Sequence, residues 1–336
     1  MKIIIPMAGM GKRLRPHTLL VPKPLIPIAG KPMVQRIVED ITQLCTSKVE
    51  EIHFVVGRFG KEVEDNLVAI AEKVGAKGVI AYQDQPLGTA HAILCAKAAL
   101  DGNVLIAFAD TLFVSDDKFD ESADGVIFVN KVPNWQQFGV VKLNEKNVIT
   151  DFVEKPAEFV SDLAIIGIYY FRDGKNLHKE LQYLIDHDIR EKGEYQLTNA
   201  MENMKNKGLQ FAPGAVKEWL DCGNKDATVY TNQRILDVKH KEQLVAPSMK
   251  SENAVIKEPC FIGENVCINN STIGPYVSIG ANTVIEDAHI ENAIVGANTH
   301  IRNANFKNSM VGSHVRYTGN KDISVQLSLG DYSTQD

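Results

Sequence analysis

The sequence predicts an α/β domain on a mixed, mostly parallel sheet, followed by a short solenoid of stacked parallel strands. Three observations carry this reading. Short apolar runs alternate with amphipathic helical segments between residues 3 and 109. A Gly-rich turn crowded with cations follows the first apolar run. Beyond residue 254 the hydrophobic period changes, and an aliphatic side chain returns every five or six positions.

The first run, Ile3 to Ile5, is apolar throughout and reads as a buried central strand. It ends at Pro6 and enters Ala8-Gly9-Met10-Gly11. Two glycines so close behind a strand permit a sharp turn and let a ligand approach main-chain N–H groups. Lys12, Arg13, Arg15, Lys23 and Lys31 follow. N–H groups that cradle oxygens, with arginine as a bidentate fork, suit a polyphosphate. For the two glycines alone, a tight turn with a solvated basic face is the preferred reading. Leu14 replaces the third glycine of a dinucleotide fingerprint, and no Gly-Lys-Ser/Thr follows as in a P-loop.

Apolar spacing then predicts helices over 32–45, 61–74 and 89–100, and strands over 52–56, 79–82 and 104–109. In a doubly wound sheet, ligands gather at the carboxyl ends of strands beside the switch in strand order. The Gly-rich turn, the segment Gln83–Thr89 and Asp110 all fall at such ends. Further strands are expected over 126–130, 139–143 and 164–171, a helix start near 194–200 and a helix over 226–238.

Composition narrows the classes. At 336 residues with 44% hydrophobic content, the chain suits two domains. A net charge of -6 argues against a general nucleic-acid surface, so a phosphate site must be built locally. Five cysteines without Cys-x-x-Cys spacing argue against a disulfide framework or a zinc site. No secretory leader, membrane span or membrane partner is expected, and a cytoplasmic location is.

The ordered string Gly9-x-Gly11-x-Arg13-Leu14-x-Pro16, then Lys23-Pro24-Leu25, resembles the signature of the sugar-1-phosphate nucleotidyltransferases, or NDP-sugar pyrophosphorylases. Met10 and Lys12 depart from the family's usual Gly and Thr or Ser. The resemblance extends to Gln83-Asp84-Gln85-Pro86-Leu87-Gly88-Thr89, similar to the base-recognition loop. An amide can donate and accept together, so Gln85 or Gln83 suits a nucleobase edge, and Gly88 admits close backbone approach. Asp110 matches the aspartate that binds Mg²⁺, although on its own an aspartate there is often a helix cap. Ala109 precedes it where the family has Gly. Phe138-Gly139-Val140-Val141 resembles Tyr-Gly-Val, and Phe152-Val153-Glu154-Lys155-Pro156 is a second signature. These imply that Gly139, Glu154 and Lys155 hold the sugar-1-phosphate. Trp219-Leu220-Asp221-Cys222-Gly223 resembles Trp-x-Asp-x-Gly, with Asp221 the second Mg²⁺ ligand and Trp219 read as packing. Ile166 and Asn199 stand where relatives carry a polar residue and Asp.

The resemblance implies a Rossmann-like nucleotidyltransferase domain over 1–238 and a linker over 239–253. The aliphatic period, with Gly263, Gly274, Gly280, Gly296 and Gly312 after it, resembles hexapeptide repeats. A left-handed β-helix over 254–318, about three coils by that count, and a loosely held polar tail over 319–336 are expected. The implied reaction joins an NTP to a sugar-1-phosphate, releasing pyrophosphate with Mg²⁺. Arg13, Lys23 and Lys155 are its catalytic cations; Ala8, Gly9, Met10, Gly11, Gln83, Gln85, Gly88 and Thr89 are its nucleotide contacts. Thymidylyl transfer from dTTP to glucose-1-phosphate is favoured over guanylyl transfer to mannose-1-phosphate and uridylyl transfer. Three other readings are weighed: acyl transfer by His289, His300 or His314, a nucleotide-sugar sensor, and a β-helix that serves homo-oligomer assembly.

Overall fold

The computed structural model describes residues 1–335; Asp336, the end of the expected tail, lies outside them. By compactness the chain forms two units. The first comprises Met1–Gly9 with Gln35–Trp219, and the second comprises Met10–Val34 with the described residues from Leu220 onward. The span 1–238 therefore contributes to both units, and the cationic part of the signature segment clusters with the C-terminal region.

The first unit holds a nine-stranded sheet. In chain order its strands are β1 Lys2–Pro6, β2 Glu51–Val56, β3 Lys77–Tyr82, β4 Val104–Ala107, β5 Gly125–Lys131, β6 Gly139–Leu143, β7 Ile149–Glu154, β8 Leu163–Phe171 and β9 Phe211–Ala215. They lie in the order β7-β6-β8-β4-β1-β2-β3, with β5 on β8 and β9 on β5. The strands β3, β2, β1 and β4 are mutually parallel, and β8 runs antiparallel to β4. Strand order reverses between β1 and β4, which creates the crevice where α/β sheets bind ligands.

Burial explains the order. Ile3, Ile4 and Ile5 have no exposed surface, as a central strand covered on both faces requires. The edge strand β3 has no fully buried residue. Helices Lys61–Lys73 and Thr89–Cys95 bury Leu67, Ile70 and Ala71, and Ala90, Ala92 and Ile93, respectively. The helix expected to reach residue 100 stops at Cys95, and Lys97–Ala99 tightens into a 3₁₀ turn. The strand expected to reach Ala109 stops at Ala107, because Phe108 N–H donates to Gly167 O (3.0 Å).

In the second unit, Asn224 caps helix Lys225–Val238 by accepting from Ala227 N–H (3.0 Å). An eleven-stranded, wholly parallel coil accompanies it. Partners across successive turns are 16 to 18 residues apart. Ile262, Ile268, Ile273, Ile279, Ile285, Ile290 and Ile301 fill its interior.

The coil is longer than the aliphatic count suggests. Polar Lys250–Glu252 opens one ladder, and Ser328–Leu329 and Thr334–Gln335 continue two others. Two stretches of the segment expected to be a loose tail, Ser328–Leu329 and Thr334–Gln335, are thus paired backbone. A strand on an existing edge needs main-chain hydrogen bonds more than apolar side chains, so hydrophobic spacing did not register these turns.

Asparagines at the corners carry no aliphatic signal either. Asn265, Asn282 and Asn298 adopt left-handed backbone (φ 54 to 57°), which Asn tolerates better than most residues. Their amides form a ladder, 3.2 and 3.3 Å from one to the next.

Candidate active site

At the carboxyl end of β1, Met7 N–H donates to Val55 O (2.8 Å), and Ala109 N–H reaches back to Pro6 O (3.5 Å). The β1 and β4 ends are thereby held side by side. Ala8 is half-buried and Gly9 is exposed, with open space where a Cβ would stand. Asp110 is half-buried in the turn after β4. Gly167, in the bulge of β8 at φ +84°, shapes that turn. Thr111 Oγ1 donates to Ile166 O (2.7 Å), and a Cβ on Gly167 would lie 3.1 Å from that hydroxyl. No motif marks Gly167 as a support of the Asp110 turn, since only the fold brings β8 beside it.

The loop after β3 starts where Gln83 N–H donates to Val56 O (2.9 Å). Gln85 is exposed, and its side chain has no hydrogen-bond partner among the described residues. The Gln83 amide nitrogen is held by the loop, with Nε2 3.2 Å from Gly88 O and 3.1 Å from His91 Nδ1. Gly88 adopts φ +111°, and a Cβ there would lie 2.5 Å from Tyr195 O. The protein's own backbone therefore demands glycine at this position. Thr89 Oγ1 donates to Gln196 Oε1 (3.1 Å) and accepts from Leu197 N–H (2.9 Å), so its hydroxyl anchors the loop.

In the antiparallel pair β6–β7, Glu154 stands opposite Gly139. A Cβ at 139 would fall 2.9 Å from Glu154 Oε2, so the carboxylate lies over the bare glycine. Lys155 follows in left-handed backbone (φ 45°), its N–H donating to Phe138 O (3.1 Å). Its exposed ammonium is 3.6 Å from Glu154 Oε1. Non-glycine residues enter this region at a cost, and such positions concentrate at functional sites. A cleft of about 220 Å³ opens beside Glu154, with Thr198, Asn199 and Glu202 on its wall. Trp219 packs edge-on against Phe138, ring centres 4.9 Å apart, as a packing role predicts. Its indole N–H nevertheless has no partner among the described residues.

In the second unit, Met10 is exposed and Gly11 begins a 3₁₀ turn, Lys12–Leu14, at φ +56°. Gly11 packs on the stem of Lys23, which is only 7% exposed. A Cβ on Gly223 would lie 2.7 Å from Asp221 Oδ2 and 3.4 Å from Arg13 Nη2. The carboxylate and the guanidinium thus border one glycine. This signature segment is braced by the coil: Asn232 Oδ1 accepts from Ala29 N–H (2.9 Å) and from Ser278 Oγ (2.7 Å). His17 Nε2 meets Ser328 Oγ at 3.1 Å.

Among the described residues, no group of three or more His, Cys, Asp or Glu side chains forms a self-sufficient metal cage. His289, His300 and His314 lie at different points of the coil, and His314 stacks on Tyr332 (4.7 Å, interplanar 2°). Among the described residues no helix is long and apolar enough to cross a membrane.

A glycine-rich turn after β1, an aspartate after β4 and a Glu-Lys turn beside a bare glycine are thus carried by one α/β fold. A family model described as nucleotidyl transferase matches residues 2–238. The chain belongs to that family, among its sugar-1-phosphate members. Agl11 of Haloferax volcanii, a low-salt glycan biosynthesis nucleotidyltransferase, is 28% identical over 322 residues, covering 88% of this chain and 87% of that protein. A glucose-1-phosphate thymidylyltransferase of Streptomyces griseus is 27% identical over 361 residues, covering 99% and 98%. The bifunctional protein GlmU of Methanocaldococcus jannaschii is 30% identical over 348 residues, covering 98% and 79%. A UDP-glucose pyrophosphorylase solved with UDP-glucose shares the fold, with a TM-score of 0.57 at 22% identity over 72% of this chain and 99% of its own.

Proposed function

We propose that the protein transfers a nucleotidyl group from an NTP to a sugar-1-phosphate, with glucose-1-phosphate and dTTP as the favoured pair. The Glu154 carboxylate over bare Gly139, with Lys155 turned out behind it, carries the reading. That arrangement offers an acceptor for sugar hydroxyls, room for a ring and a cation for its phosphate.

An oxygen of the sugar phosphate attacks the α-phosphorus in line, and pyrophosphate leaves opposite. The nucleophile is already an anion, so no covalent enzyme intermediate is needed, and positioning and charge neutralisation do the work. Lys155 holds the attacking phosphate against repulsion from the triphosphate. Arg13 and the Gly9–Gly11 main chain hold the departing pyrophosphate, and buried Lys23 neutralises phosphate charge. Gln83, Gln85 and Gly88 receive the base, with Ala8, Met10 and Thr89 lining the nucleotide. In this reading Asp110 and Asp221 are the carboxylates that would hold Mg²⁺. When bound, the ion supplies Lewis-acid charge stabilisation.

Guanylyl transfer to mannose-1-phosphate and uridylyl transfer to glucose-1-phosphate are the alternatives within the class. The parallel coil is proposed to be left-handed and to join copies into a homo-oligomer, which light scattering of the purified protein tests. The activity is tested by pyrophosphate release with Mg²⁺, pairing dTTP, UTP, GTP, ATP and CTP with glucose-1-phosphate and mannose-1-phosphate. Release with dTTP and glucose-1-phosphate supports the favoured pair, and release with another pair replaces it. No release with any pair favours the nucleotide-sugar sensor.

A further inference from the structure

The loop after β3 contains a short chain of hydrogen bonds with only one consistent assignment. Gly88 O is an acceptor only, so the Gln83 atom 3.2 Å from it must be the amide nitrogen. That nitrogen has two protons. One meets Gly88 O, and the other points to His91 Nδ1 at 3.1 Å. Nδ1 must then be the bare, accepting nitrogen of a neutral ring, with the proton on Nε2. Cys95 Sγ, 4.0 Å from the same Nδ1, adds only a weak donor and points to the same tautomer. Burial also pushes the His91 pKa below its ordinary value, which favours the neutral ring. Rotating the amide by half a turn would set two acceptors together at Gly88. With both amide protons engaged, Gln83 Oε1 has no hydrogen-bond partner among the described residues.

We propose that His91 is a positioning residue that locks the Gln83 amide with its oxygen outward, so that the loop selects a nucleobase edge presenting a ring N–H. The inference rests on the proposed nucleotide-binding role of this loop. An outward acceptor welcomes the N–H at N3 of uracil or thymine and at N1 of guanine. It opposes the bare nitrogen at N3 of cytosine and at N1 of adenine. Without His91 the amide keeps only the Gly88 contact and can leave it to present its NH₂ instead.

Direct binding of UTP against CTP, and of GTP against ATP, compares the two edges at matched ring size and needs no turnover. The full-length wild type is expected to prefer the N–H partner within the ring class it accepts. His91→Leu, which removes the acceptor, should shrink that ratio roughly three- to tenfold. His91→Asn, which places an accepting oxygen at the same side-chain depth, should largely retain it. In ligand-free protein, nitrogen-15 NMR of the imidazole should show Nδ1 bare and Nε2 protonated. A protonated Nδ1, a wild-type preference for CTP or ATP, or an unchanged ratio in folded His91→Leu overturns the inference. A wild type that binds no NTP removes the nucleotide reading itself, and the inference with it.

Discussion

Gly11 and Lys23 are packed so closely that a Cβ at position 11 would stand 2.8 Å from the Cβ of Lys23. Thr18 Oγ1 donates to Gly11 O (2.9 Å) and pins the same turn. The buried lysine is therefore placed by a left-handed glycine. Gly11→Ala should destabilise the protein by about 1–2 kcal/mol through backbone strain alone. It should also displace Lys23, lowering kcat/KM for NTP roughly tenfold or more. Steady-state kinetics beside thermal denaturation separates the two effects, and wild-type kinetics would refute the placement of Lys23.

Asp221 and Arg13 share the space above Gly223. Gly223→Ala should push both side chains aside and reduce turnover on the order of a hundredfold, with a smaller change in thermal midpoint. Asp110→Asn should likewise lose turnover more than folding. Chelation with EDTA should abolish activity, and added Mg²⁺ should restore it. Full turnover by Asp110→Asn would remove this residue from the ion.

Lys155 lies on the proposed sugar-phosphate side of the reaction. Lys155→Ala is expected to raise the KM for sugar-1-phosphate roughly tenfold or more, leaving the KM for NTP little changed. Gly139→Ala would displace the Glu154 carboxylate 2.9 Å away and should show the same bias. Equal effects on both substrates would contradict the division of roles.

His17 is buried against Ser328, and its pKa falls from 6.5 to about 4, first through burial and then through the charge of Lys225. The unfolded chain therefore binds a proton that the folded chain refuses between these values. The associated stability is complete above pH 6.5 and is lost as pH falls toward 4, on the order of 3 kcal/mol in all. Thermal midpoints at pH 7 and pH 4.5 should differ more in wild type than in His17→Asn. Equal slopes would mean that another group governs the acid limb.

Asn232 links the signature segment to the coil through one accepting oxygen. Asn232→Leu removes the oxygen that accepts from both Ala29 N–H and Ser278 O–H, at a cost of about 1–3 kcal/mol. A lowered thermal midpoint together with a raised KM for NTP is expected. A coil that served assembly alone would alter oligomeric state and leave KM unchanged.

Local rules written in the chain account for much of this molecule. Three consecutive isoleucines require a strand covered on both faces. Period-3.6 spacing marks the Met33–Leu44 and Lys61–Lys73 helices, and aliphatic recurrence marks the coil interior. The motifs single out Arg13, Lys23, Asp110, Glu154, Lys155 and Asp221 as candidates because their chemistry is compressed into short strings. Other features depend on neighbours far away in sequence. Gly88 is a glycine because Tyr195 backs it, and Gly167 shapes the Asp110 turn because β8 lies beside β4. The last strands of the coil pair through backbone groups that every residue carries, so composition does not mark them. Hydrophobic period and motif order were thus determined by the sequence itself. The orientation of the Gln83 amide, the bracing of Ala29 by Asn232 and the burial of His17 were decided by the tertiary structure, because each depends on which distant groups fill the remaining hydrogen-bonding and packing positions.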